Sequence, residues 1–192
     1  MPIESSISFG DNLRNHLLIA TPSLKDPHFS HTVTYICDHS AEGAMGIVLN
    51  RPLDLNIGQV FEELNLPLGE RICQAPVLSG GPVNTQRGFV LHNEEGQWDS
   101  SLKVTDGICL TGSKDILTAL AVGQGPTHAL FALGHAGWSA GQLEDELATN
   151  AWLTVPASYE LLFCTPIELR WSAAAKHLGI DPNLISPQLG HG

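Results

Sequence analysis

The longest purely apolar run in this chain, Ala129 to Leu133, is five residues, and 19 glycines and 12 prolines punctuate the rest. A membrane-spanning helix needs roughly 18 apolar residues or more, so none is encoded. Helices and strands must all be short, and a core has to be assembled from many of them. At 192 residues, 43% of them hydrophobic, the chain can bury roughly 70% of its unfolded surface in one core. One domain over residues 1–192 is expected, with 1–12 and 183–192 as loosely ordered ends.

Local patterns predict the pieces. His16 to Ala20, stopped by Thr21-Pro22, and the β-branched, aromatic run Thr32 to Cys37 read as strands. Asp38 to Ala44 reads as a long polar loop from which Gly46 to Asn50 returns antiparallel, closed by Arg51-Pro52. Ile57, Val60, Phe61 and Leu64 fall on one helical face behind Asn56 and Gln59, a helix-start signal. Pro76 to Leu78, Gly88 to His92, Leu102 to Val104 and Ile108 to Thr111 are short strands around the turns Ser79-Gly80-Gly81-Pro82 and Asp106-Gly107. Ser113 is placed to cap a helix bearing Ile116, Leu117, Leu120 and Ala121 that ends at Gly123. His128 to Leu133 reads as a buried central strand. Thr165-Pro166-Ile167-Glu168 opens a last helix with Trp171, Ala174, Ala175 and Leu178 on its apolar face. Hairpins interleaved with single helices give an α+β domain with a mixed, largely antiparallel sheet and flanking helices; the alternative is an α/β sandwich.

Charge narrows the function. Nine Lys and Arg against twenty Asp and Glu give a net charge of −11, with no two basic residues adjacent. Duplex binding relies on clustered cations, so the balance argues against direct nucleic-acid contact. Glu4, no basic residue before Arg14, and a short first apolar cluster do not make a secretion signal, so cytoplasmic residence is expected. Cys37, Cys73, Cys109 and Cys164 form no C-x-x-C pair and read as free, buried, structural thiols.

Chemistry concentrates in Leu133 to Trp152. Gly137-Trp138-Ser139-Ala140-Gly141 fits the G-x-S-x-G turn of a hydrolase, with Ser139 as nucleophile, yet Ser139 and Gln142 equally have capping-box spacing for a helix with Leu143 and Leu147 buried. Glu144, Asp145 and Glu146 then form a solvated acidic face. Trp138, Gln142, Glu144, Asn150 and Trp152 are a candidate binding patch, with Trp138 in the turn as the exposed indole. Asn50, Arg51, Arg87 and His92, at strand ends, could line a cleft or satisfy turn backbone. His28-x-x-His31, near Asp26 and Cys37-Asp38-His39, supplies metal-type ligands without a spacing that demands a metal. The Ser79 to Pro82 turn lacks both the phosphate-loop lysine and the dinucleotide fingerprint, and no cofactor is expected.

Several blocks in fixed order resemble one family: His16 to Ala20, Asp26-Pro27-x-Phe29, Gly46 to Pro52, Gly80 to Val83, Gly88 to His92, the 133 to 152 block, Leu178 to Pro182 and Gly190-His191. On these residues the chain resembles the bacterial YqgE/AlgH family over nearly its whole length. The resemblance implies an α+β fold with a bulged antiparallel sheet and a transcriptional-regulator label, without an established biochemical activity. It also implies that the Ser139 position is often another small residue and that His135 stands where tyrosine is more common. The expectation is a cytosolic binding or regulatory protein that affects transcription indirectly through a protein or small-molecule partner. A serine hydrolase and a direct DNA-binding regulator are the alternatives.

Overall fold

The computed structural model describes residues 12–22, 24, 26–68 and 74–179. The two expected loose ends, Cys73 and the blocks after Gly179 lie outside the described residues. Ten strands are present among the described residues: β1 (His16–Ala20), β2 (Val33–Ser40), β3 (Gly43–Val48), β4 (Pro52–Asn56), β5 (Pro76–Ser79), β6 (Val83–Asn93), β7 (Ser101–Thr105), β8 (Ile108–Thr111), β9 (Ala129–Ser139) and β10 (Trp152–Pro156). The helices are α1 (Ile57–Glu63), α2 (Asp115–Ala121), α3 (Gln142–Ala148) and α4 (Arg170–His177), preceded by a π-helical turn at Glu160–Cys164 and a 3₁₀ turn at Ile167–Leu169.

The strands form one curled sheet in the order β10-β1-β2-β3-β9-β6-β8-β7. β9 is its hinge line. Its first half pairs antiparallel with β6 and parallel with β5, and its second half pairs with β3. The other pairings are antiparallel, giving a mixed α+β domain. Register breaks between Ile36 and Asp38, between Val83 and Gly88, and between Lys103 and Thr105 are the bulges that curl it. At the largest of them Gly80 and Gly81 lie against the backbone of Gly134 and His135: a Cβ on Gly80 would sit 2.3 Å from the Gly134 carbonyl oxygen. The Gly-Gly pair exists because no side chain fits where the β5–β6 turn crosses β9.

Both faces of the sheet are covered. Val33, Tyr35 and Cys37 face a core closed by Leu161, Leu162 and Ala174, while Ile36 on the opposite face joins Leu18, Trp138, Leu143 and Trp152 under α3. This double burial is why Leu17 to Ala20 of β1 is an unbroken apolar run and why Val33 to Cys37 of β2 carries no charged side chain. A third cluster, Ile57, Phe61, Val90, Ile116, Leu120 and Phe131, lies beneath α1 and α2.

Several local expectations are corrected. The polar stretch after Cys37 is not a long loop: β2 continues to Ser40 and β3 begins at Gly43, leaving a two-residue tip, Ala41-Glu42. Pro52 opens an edge strand rather than closing a hairpin. α1 has the full capping box, Asn56 accepting from the Gln59 N–H and Gln59 accepting from the Asn56 N–H, both at 3.0 Å. Ser113 does not cap α2; its hydroxyl donates to Asp115, whose carboxylate also accepts from the Ile116 N–H. Thr165 likewise donates to the Glu160 carbonyl instead of capping the last helix. Cys37 and Cys109 are buried thiols, but Cys164 is exposed. Burial, and then Asp38, push the Cys37 thiol far above its ordinary range, leaving it inert.

Candidate functional site

β9 carries the central strand through the Gly-Trp-Ser segment, so Trp138 and Ser139 lie in a ladder with Ala44 and Gly43 of β3 rather than in a turn. The reversal comes at Ala140-Gly141, where Gly141 adopts φ +77° ahead of α3. Strand alternation then decides the two side chains. Trp138 points under α3 and is 5% exposed, and Ser139 faces out. The expectation of an exposed Trp138 is thus overturned, because the strand expected to end at Leu133 runs six residues further, to Ser139. Trp152, 2% exposed, meets it edge-on at 6.2 Å between ring centroids, and Phe29 packs on both.

The residue that organises this cluster is Glu146. Its Oε1 accepts from the Trp152 indole N–H at 3.1 Å and from the Trp138 indole N–H at 3.3 Å, and its Oε2 accepts from the Gln142 amide. The acidic run is therefore not simply a solvated face. Glu144 is also engaged: its carboxylate is 2.6 Å from Nε2 of His39, and that contact holds it below the usual carboxylate range. Because Nδ1 of His39 accepts from the Leu13 N–H, the ring proton sits on Nε2 and points at Glu144. Both nitrogens of His39 are occupied, so it has no free lone pair for general-base work.

Ser139 lacks the partner that a nucleophile requires. Its hydroxyl donates to Oε1 of Gln142 at 3.2 Å and its N–H to the same oxygen at 3.0 Å; the expected capping box does not form, because α3 starts at Gln142 with Gly141 as its N-cap. Asn150, at φ 60°, forms the turn after α3, and its carbonyl accepts from the Thr21 hydroxyl. Of the candidate patch Trp138, Gln142, Glu144, Asn150 and Trp152, the first and last are core, and Gln142 and Glu144 support it.

The four candidate cleft residues do not share one cleft. Asn50 bridges the Val33 N–H and the His31 carbonyl, and Arg51 donates to the carbonyls of His28 and Ser30, so this pair staples the 26–32 loop to the sheet. Arg87 lies over the Phe89 ring at 5.1 Å. His92 is 1% exposed, with Nδ1 on the Asn93 carbonyl and Nε2 2.7 Å from the Thr111 hydroxyl, and burial holds it below its ordinary value. His28 is exposed, and the His31 ring stacks on Trp171 at 5.8 Å. No three His, Cys, Asp or Glu side chains among the described residues converge to hold a metal. The buried Nδ1 of His135 has no hydrogen-bond partner, and burial, then Arg87, hold the ring below its ordinary value.

Concavity lies elsewhere, on the face carrying α1 and α2. Ile57, Val60 and Leu64 of the α1 segment face Leu117 of α2 across Phe89, Phe131 and Leu133, enclosing about 210 Å³ that is open on one side. Lys114 stands at the α2 end of this groove. No acidic group among the described residues pairs with it. Sequence reasoning assigned these side chains to two separate helix faces, and only folding makes them the walls of one groove.

A family model described as AlgH-like matches residues 17–183. A UPF0301 protein of Saccharophagus degradans is 53% identical over 180 residues, covering 94% of this chain and 89% of that one. One from Thioalkalivibrio sulfidiphilus is 52% identical, covering 94% and 97%. The solution structure of the AlgH protein from Pseudomonas aeruginosa superposes with a TM-score of 0.77 at 47% identity, covering 94% of this chain and 96% of that chain. The crystal structure of a Corynebacterium diphtheriae protein, with a TM-score of 0.66 at 22% identity over 84% and 85% of the two chains, shares the fold. With the matched blocks running from the first strand past the last helix, the chain belongs to the AlgH-like, UPF0301 family.

Proposed function

We propose that this protein is a non-catalytic binding module that acts in regulation by receiving an apolar segment of a protein partner in the groove between α1 and α2. The carrying observation is the contrast between that open, hydrophobic groove and the engaged state of the candidate catalytic groups. Val60, Leu64, Leu117 and Leu133 keep part of their surface in the groove. Grooves of this kind accept the apolar face of a partner element. Lys114 at the rim favours a partner with an acidic side chain beside its apolar one.

Indirect rather than direct action on transcription is supported by where the cations go. Arg14 pairs with Asp38, and Lys103 with Glu94 and Asp106. Arg51 and Arg170 are bound to backbone carbonyls. A net charge of −11, with Arg14, Arg51 and Arg170 so engaged, offers little to phosphates. The hydrolase alternative finds no supporting geometry at Ser139, whose hydroxyl is bonded to an amide.

Complementation tests the reading. In a strain lacking the gene, Leu117→Asp should reproduce the protein-level changes of the deletion while keeping the wild-type melting temperature, and Trp138→Phe should complement. Full complementation by Leu117→Asp would remove the groove from the function.

A further inference from the structure

A second cavity of about 210 Å³ lies at the edge of the sheet, between the start of β9, the start of β5 and the 3₁₀ turn that leads into α4. Its walls are mostly apolar, Leu78, Leu130, Phe131, Pro166 and Ile167 among them, with Thr165 and Arg170 as the polar members and Arg170 as the one charged side chain. Arg170 is 5% exposed. Its Nε donates to the Thr165 carbonyl at 3.2 Å and its Nη1 to the Leu49 carbonyl. A guanidinium has five N–H donors, and these bonds use two of them. Nη2 has no acceptor among the described residues, yet it is not one of the sealed polar atoms. No carboxylate among the described residues comes within the 4.0 Å of an ion pair; Glu168, two residues away, is exposed.

This is an unusual place to leave a cation in a chain with twenty acidic residues. Buried charges in folded proteins are paired, because an unpaired one forfeits its hydration without compensation. Arg170 is also the first residue of α4, where the helix dipole is positive and repels a cation. Burial and the helix end raise the energy of the same group, exposed Glu168 offsets this only in part and without an ion pair, and an anion in the cavity would offset the rest.

We propose that this cavity is a binding site for a small aliphatic monocarboxylate, whose carboxylate pairs with the unsatisfied guanidinium nitrogens of Arg170 and whose tail lies against Leu130, Phe131 and Ile167. At roughly 30 Å³ per water-sized group, 210 Å³ holds about seven non-hydrogen atoms, the size of pentanoate. The guanidinium fork selects a planar carboxylate over a point acceptor, and the apolar walls select a tail over water. The cavity shares Phe131 with the α1–α2 groove but no other lining residue, and its charged group, Arg170, is absent from that groove, so it is tested independently of the function proposed above.

Calorimetric titration of the full chain with sodium pentanoate, 1-pentanol and sodium formate tests it. Pentanoate should bind at least tenfold more tightly than either, pentanol lacking the charge and formate the tail. Arg170→Met should equalise pentanoate and pentanol. Should loss of the Leu49 and Thr165 contacts prevent that variant from folding, Ile167→Trp decides: it narrows the cavity, keeps the guanidinium, and should abolish pentanoate binding. Lys114→Met, in the other groove, should leave it unchanged. Equal binding of pentanoate and pentanol, formate as tight as pentanoate, unaltered binding to Ile167→Trp, or loss of binding in Lys114→Met would each overturn the assignment.

Discussion

Replacing Glu146 by alanine removes the acceptor that two tryptophans share. The Trp138 and Trp152 indole nitrogens donate to one carboxylate oxygen at 3.3 and 3.1 Å, and both rings are packed against Leu18, Ile36 and Leu143. A buried donor left without a partner costs about 1–3 kcal/mol. Because the Glu146 side chain is only half-buried, water reaches one nitrogen more easily than in a sealed core, which puts each cost at the low end. The expected loss is about 2–3 kcal/mol, a fall in melting temperature of roughly 4–12 °C for a domain of this size. Glu146→Gln keeps a carbonyl oxygen for the indoles and loses only the charge assistance, at about 1 kcal/mol. Urea unfolding gives the free energies, and the indole N–H resonances of Trp138 and Trp152 report whether the bonds persist. A double-mutant cycle with Trp138→Phe should show a coupling of about 1 kcal/mol. Stability of Glu146→Ala within about 0.5 kcal/mol of wild type, or equal damage from glutamine and alanine, would refute the shared-acceptor account.

Acid should destabilise the fold in two stages, since both shifted groups bind protons more readily when unfolded: His92, held below its ordinary 6.5 by burial, costs stability as pH falls from 6.5 through its folded value, and Glu144, held below 4.5 by His39, does so below 4.5. His135, also held below 6.5 by burial, contributes to the upper stage, so His92→Gln should shrink that stage in a pH series of melting temperatures, and a loss that begins only below 4.5 in the wild type would contradict it. Gly80→Ala, whose Cβ would meet the Gly134 oxygen at 2.3 Å, should cost about 3 kcal/mol in chemical denaturation, whereas Gly107→Ala, with open space around it but φ +91°, should cost about 1 kcal/mol. Equal costs would mean that the β5–β6 turn yields. Ser139→Ala should change stability by less than about 1 kcal/mol, and a fluorophosphonate probe should label neither it nor the wild type; stoichiometric labelling of the wild type alone would restore the nucleophile.

The elements legible in the sequence are those set within one or two turns of chain. The Asn56–Gln59 capping box, the apolar faces of the helices at 57–63, 115–121 and 170–177, and the strands at 16–20 and 108–111 depend on neighbours three or four residues away, or on the alternation of a strand. The blocks shared with the family were legible as well, and with them an α+β domain. What the tertiary structure decided lies in pairings far apart in sequence. β2 extends through the polar Asp38-His39-Ser40 because β3 supplies its ladder and Glu144, 105 residues later, accepts the hydrogen bond from His39 Nε2. Trp138 is buried because β9 runs on past Leu133 to Ser139, its last four residues paired with β3, and Glu146, which reads as one member of an acidic surface run, becomes the acceptor that holds the cluster. Arg170 carried no signal in a periodicity reading. Its partner carbonyl at Leu49 is 121 residues away, and its cavity forms only when the 3₁₀ turn closes over β5 and β9. Local rules fix which short elements can exist, whereas burial of a charge or an indole depends on which distant surface covers it, and no window of sequence contains that surface.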